Sequence, residues 1–91
     1  MKALPEPLQA YKQTPVFTED TVPSGLLRSH RTKDAVWGRI IVLEGSLEYT
    51  INEPVEEIVL LDQETPGVIE PTVLHAVKPL GPVRFYVEFY R

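Results

Sequence analysis

The sequence predicts a small, single, all-β domain, and three observations carry that expectation. Nine prolines punctuate the 91 residues, and proline both breaks helices and keeps strands short. Between them Val, Ile, Leu, Tyr, Phe and Thr dominate, the residues that pack well on a pleated surface. Finally, Val83, Phe85, Val87 and Phe89 alternate with Arg84, Tyr86, Glu88 and Tyr90, and a period of two sends the sets to opposite faces of a strand. No segment sustains an apolar repeat at 3.6 residues, so little helix is expected.

Taken in order, residues 1–15 read as an extended N-terminal arm and 16–91 as the domain proper. Short strands are expected at Val16-Phe17, Ser24–His30, Val36–Leu43, Ser46–Ile51, Glu56–Leu61, Gly67–Glu70, Leu74–Val77 and Val83–Tyr90. Leu43-Glu44-Gly45-Ser46-Leu47 is a hairpin signal, two apolar runs around a glycine free to take a positive φ. Glu53-Pro54-Val55 and Leu80-Gly81-Pro82 mark further turns. Short strands at such regular spacing form a sandwich or a barrel. In the last strand one face is apolar and the other polar-aromatic with a carboxylate; alternation alone leaves open which of them lines an interior.

Composition removes several classes of function. The net charge is −4 and the lysines and arginines are scattered, so no basic stripe offers itself to nucleic acid. Apolar runs such as Ile40–Leu43 fall far short of the about 20 residues that span a bilayer. The chain has no cysteine, which excludes disulfides, thiolate metal sites and cysteine nucleophiles. Met1-Lys2-Ala3-Leu4-Pro5 lacks an apolar signal core, and cytoplasmic residence is the default expectation. Glu53, Glu56, Glu57, Asp62 and Glu64 read as a solvated strand edge, where charge discourages edge-to-edge pairing. No serine stands in a nucleophile elbow.

Two blocks of sequence carry a resemblance. The first runs Pro23-Ser24-Gly25-Leu26-Leu27-Arg28-Ser29-His30-Arg31-Thr32-Lys33 and continues from Val36-Trp37-Gly38-Arg39 through Gly45 to Tyr49. The second is Gly67-Val68-Ile69-Glu70-Pro71-Thr72-Val73-Leu74-His75-Ala76-Val77, closing on Phe85–Tyr90. Together, in this order and spacing, they resemble the cupin-like tellurite-resistance-related domain family, whose activity is unassigned and whose members occur alone or fused to a tellurite methyltransferase. The likeness runs from Leu4 onward and implies a double-stranded β-helix, a jelly roll with a cup-shaped interior. Methyl transfer does not follow from it, because no glycine-rich strand-to-helix loop for a methyl-donor nucleotide is present. Metal-binding cupins carry a His-x-His pair and a glutamate in the first motif and a histidine in the second. Here His30 is followed by Thr32, the glutamate position is Gly38, and only His75 matches the second motif.

His30 and His75 are the chain's two histidines, and both fall in these blocks. Two neutral imidazoles with a carboxylate would make a facial triad for a divalent metal, zinc or iron, and Glu88 is the expected third ligand, with Glu70 as substitute. Trp37, Arg84, Tyr86 and Arg28 are the candidate ligand-binding residues, the arginines for an anion, Tyr86 as donor and Trp37 as a wall. Against this stands a plainer assignment: hydrogen-bonded histidines, a core tryptophan and surface arginines. Three readings follow, namely a metal-binding cupin-like protein with or without enzymatic activity, a metal-free module for a small molecule or anion, and an interaction domain with a filled cup. A homodimer is expected if the polar face of the last strand lines the cup, because its apolar face would then need an outside cover.

Overall fold

The strands begin and end where β-branched and aromatic runs meet proline, glycine or a charged cluster. In the computed structural model, which describes residues 1–28 and 31–91, β1 is Ala10–Gln13, β2 Phe17–Thr18, β3 Trp37–Glu44, β4 Leu47–Ile51, β5 Glu57–Leu61, β6 Gly67–Ile69, β7 His75–Pro79 and β8 Arg84–Tyr90. All pairings are antiparallel. The larger sheet has the order β1-β8-β3-β6, with β2 also on β8, and the smaller one the order β5-β4-β7. Early strands pair with late ones, β3 with β8 and β4 with β7. This nested, two-sheet, jelly-roll-like arrangement is the all-β class that the sequence predicts.

One expected strand is replaced by a turn of helix. Ser24–Leu27 is a 3-10 helix opened by Pro23 at φ −59° and ψ 138°, and Leu26 N–H donates to the Pro23 carbonyl at 2.9 Å. Proline has φ preset for such a turn, and Gly25 offers no side chain to a ladder, so local chemistry overrides the apolar pair Leu26-Leu27. The end of the expected strand, Ser29 and His30, lies outside the described residues. The arm is extended, yet part of it belongs to the sheet. β1 pairs with β8 from Ala10 opposite Tyr90 to Gln13 opposite Glu88, and Gln9 and Arg91 exchange backbone hydrogen bonds at 3.3 and 3.2 Å.

The face of β8 left open by the sequence is decided by burial. Val83, Phe85 and Val87 are buried and point inward, against Ile40 and Val42 of β3, Ile69 of β6, Leu47 and Tyr49 of β4, Leu61 of β5 and Val77 of β7. Arg84, Tyr86, Glu88 and Tyr90 alternate outward. The apolar face thus needs no cover from a second copy, and the argument for a homodimer built on it does not hold. Fully burying each of these large side chains contributes roughly 1.5–3 kcal/mol, which fixes the register, since a slip of one residue would exchange the faces.

Gly45 closes the β3–β4 hairpin at φ +74°. A Cβ there would sit 2.1 Å from the Pro82 carbonyl oxygen, so both conformation and space demand glycine. Gly45→Ala is expected to cost about 2 kcal/mol or more in urea unfolding. Gly25→Ala, where a Cβ meets nothing within 4 Å, should leave the midpoint nearly unchanged.

The start of β8 is also held from outside, by the exposed carboxylate of Glu19, which accepts the Val83 N–H at 3.0 Å. That hydrogen bond lowers the Glu19 pKa below its usual 4.5. A depressed carboxylate contributes stability above its unfolded pKa and loses it as pH falls through the folded value. Glu19→Gln should therefore lower stability at neutral pH, where the ionised carboxylate contributes, and converge on the parent protein as pH falls below about 4.5; an unaltered acid limb in pH-dependent urea melts would contradict this.

Candidate functional site

His75 opens β7 just after the turn at Pro71-Thr72, where Thr72 takes φ +64°. Alternation along β7 directs His75 and Val77 between the sheets, and His75 is 2% exposed. Its Nδ1 lies 3.1 Å from the Val73 carbonyl. A carbonyl only accepts, so Nδ1 carries the proton. The ring meets Tyr49 edge to face at 5.9 Å between centroids, and the Tyr49 hydroxyl donates to the Val68 carbonyl at 2.9 Å. Burial pushes that hydroxyl well above its usual pKa, with Glu70 and Glu57 adding to the shift. Tyr49 therefore remains a neutral donor. Among the described residues, His75 thus meets a tyrosine ring, a backbone carbonyl and the apolar core.

Among the described residues, the other expected ones do not gather around it. His30 lies outside the described residues. Glu88 is on the outer face of β8, directly between Gln13 of β1 and Arg39 of β3, and accepts a hydrogen bond from the Tyr90 hydroxyl at 3.1 Å. The expectation that Glu88 meets His75 in the cup is corrected: the apolar set of the strand takes the interior, so the carboxylate faces the other way. Trp37 starts β3 opposite Tyr90 and shares the outer face with Tyr86, half-buried rather than in the core. Arg84 is exposed and paired with Glu44 at 3.2 Å, a surface contact of small energetic weight. Arg28 is exposed at the end of the 3-10 helix. Glu70 lies 3.7 Å from the Lys2 ammonium. The structure therefore brings Trp37, Tyr86 and Glu88 to one face, and that face is not the one His75 occupies.

The positions that differ from metal-binding cupins have structural uses here. Thr32, where the second histidine of a His-x-His pair would stand, donates its hydroxyl to the Val36 carbonyl at 2.9 Å and approaches the Glu70 carbonyl at 3.4 Å. Gly38, at the glutamate position, is buried against β6: a Cβ on it would lie 3.0 Å from Ile69 Cδ1 and 3.2 Å from Ile69 Cβ. Any side chain at that position would therefore press on Ile69, which would have to shift to admit it. Among the described residues no three His, Cys, Asp or Glu side chains stand together to hold an ion.

A cleft of about 280 Å³ opens at the end of the larger sheet, lined by Tyr11, Lys12, Arg31, Thr32, Lys33, Val36 and Phe89. Sequence reasoning did not single it out. Arg31-Thr32-Lys33 was a visible cluster of charge within the first block, but its joining with Tyr11 and Lys12 depends on β1 pairing with β8, which local pattern does not encode. Arg91 adds a further cation nearby, its guanidinium carbon 4.0 Å from the centre of the Tyr11 ring.

Known proteins share both the sequence pattern and the fold. The TehB-like domain pattern matches residues 12–87. A probable S-adenosyl-L-methionine-dependent methyltransferase TehB of Haemophilus influenzae is 37% identical over 78 residues, covering 81% of this chain and 27% of that protein. Its counterpart from strain 10810 is 34% identical over the same share. The chain thus spans about a quarter of the length of these relatives. The crystal structure of TehB from Haemophilus influenzae superposes with a TM-score of 0.82 at 32% identity, over 91% of this chain and 31% of that one. A crystal structure of a protein from Escherichia coli strain K12 matches in fold, with a TM-score of 0.86 at 21% identity, covering 100% of this chain and 97% of the other. With the pattern matched over most of its length and relatives above 30% identity, this chain belongs to the TehB-like domain family, related to tellurite-resistance methyltransferases.

Proposed function

We propose that this domain serves tellurite resistance as a binding module that works from its surface and carries out no chemistry in its interior. One observation carries the reading: the space between the sheets, where a cup would hold its ligand, is filled. Leu47, Leu61 and Phe85 are 0% exposed and Ile40 and Tyr49 are 1% exposed, as in a close-packed core. The structural duties of Thr32 and Gly38 support it, since two positions that bind metal in cupins serve the backbone and the packing instead. Methyl transfer is kept apart from this proposal. The relatives named as methyltransferases are far longer, and the glycines of this chain are isolated residues in turns and strands, without the clustered spacing that cradles a nucleotide.

A second reading, a divalent metal held by His30 and His75, is favoured by one feature. A histidine whose Nδ1–H is held by a backbone carbonyl has the orientation common to metal-bound imidazoles. In a neutral ring this leaves the lone pair on Nε2. The described residues supply one imidazole to such a site and no set of three donors, so they do not by themselves fit the ion.

Metal analysis and mutation separate the two. Protein purified without a histidine tag should contain well under one zinc or iron per chain, and chelation should leave its unfolding midpoint in place; stoichiometric metal would overturn the surface reading in favour of the second. His75→Ala should cost about 2–4 kcal/mol of stability by opening a cavity beside Tyr49, equally with and without chelator. A loss confined to metal-loaded protein would again favour the metal reading.

A further inference from the structure

Building on the reading that the domain works from its surface, we propose that the cleft between β1, the end of β8 and residues 31–36 binds a small organic anion, its charged group held by Lys12, Arg31 and Lys33 and its apolar body resting on Tyr11, Val36 and Phe89. The chain is acidic overall, with 13 carboxylate residues against nine lysines and arginines, yet no carboxylate lines this cleft. Among the described residues neither Lys12 nor Lys33 is within ion-pair distance of an acidic side chain, and Arg31 has only Glu53, at 3.9 Å and with both partners about half exposed. A pair at that distance in water is weak. Three cations brought to one recess in an acidic protein repel one another, and a bound anion relieves that repulsion.

The rest of the lining specifies what kind of anion fits. Tyr11, Val36 and Phe89 present aromatic and aliphatic surface beside the charges. Tyr11 remains 41% exposed although a guanidinium already covers one side of its ring. A bare inorganic oxyanion gains from the cations but leaves this surface wet. An anion with an attached ring or short chain gains from both, each buried methylene adding about 0.8 kcal/mol in transfer terms. The volume, about 280 Å³, lies at the small end of ligand sites and matches a carboxylate or phosphate ester with one ring. Arg31 supplies the planar fork suited to either head group.

The test is a low-salt amide-shift titration of the full chain with phenyl phosphate and benzoate, against inorganic phosphate and tellurite as bare anions. The expected result is saturable shifts confined to residues 11–12, 31–36 and 89, with phenyl phosphate about tenfold tighter than phosphate or tellurite. Arg31→Ala and Lys33→Ala, both at exposed positions, should each weaken binding about tenfold without moving the unfolding midpoint, and raised salt should weaken it in the parent protein. Tyr11→Ala should remove the preference for phenyl phosphate while leaving phosphate binding in place. Equal binding of phenyl phosphate and phosphate, or shifts mapping elsewhere, would overturn the proposal, as would charge-removal variants that bind normally. A metal-free protein that binds none of these anions would remove this site and leave the surface reading standing, whereas stoichiometric metal would remove that reading first.

Discussion

Pairing of β8 with β3, from Trp37 opposite Tyr90 to Glu44 opposite Arg84, is the interaction on which the remaining structure depends. It joins the middle of the sequence to its last strand and places Phe85 and Val87 beside Val42 and Ile40 on one inward surface. Each other element uses what that pair provides. β1 and β2 add to the free side of β8, and β6 adds to the free side of β3. The smaller sheet closes over the apolar surface with Leu47, Tyr49, Leu61 and Val77. Because strand pairing alternates side chains strictly, deciding that Phe85 is inside decides at once that Glu88 is outside.

The same choice explains why the interior is packed with apolar side chains. A cup-shaped site needs side chains of the inward faces to stop short of one another and leave donors around a space. Here the inward positions are large and apolar, and the two polar rings among them are given backbone partners, Tyr49 at the Val68 carbonyl and His75 at the Val73 carbonyl. Gly38 is small because Ile69 occupies the space in front of it. Charge is displaced to the rims and outer faces, where water solvates it. At one rim, beside Phe89 and Val36, Lys12, Arg31 and Lys33 are placed together, which is the observation behind the proposed surface site.

The strands were legible because they follow local rules. Observed β3, β4, β5, β6, β7 and β8 lie within a residue or two of the stretches expected from β-rich composition between turns, and the glycine of the β3–β4 turn has the positive φ its neighbours require. The segment beginning at Ser24 was misjudged for an equally local reason. Its apolar pair Leu26-Leu27 looked like strand, but Pro23 and a backbone bond from Leu26 make a helical turn. Of the candidate site, the burial of His75 followed from its place in the second motif, and the exposure of Arg84 and Arg28 agrees with their plainer reading as surface charges.

By itself the sequence determined the class of fold, the positions of β3 to β8 and of the hairpin turn at Gly45, and the division of β8 into an apolar and a polar face. Those properties depend on neighbours in the chain, through the pleat, proline geometry and glycine's conformational freedom. Which face of β8 turned inward, whether the arm joined the sheet, and which cations shared a cleft were decided only by tertiary structure. Each of these depends on contacts between residues far apart in sequence, and a period of two is the same pattern whichever side meets the core.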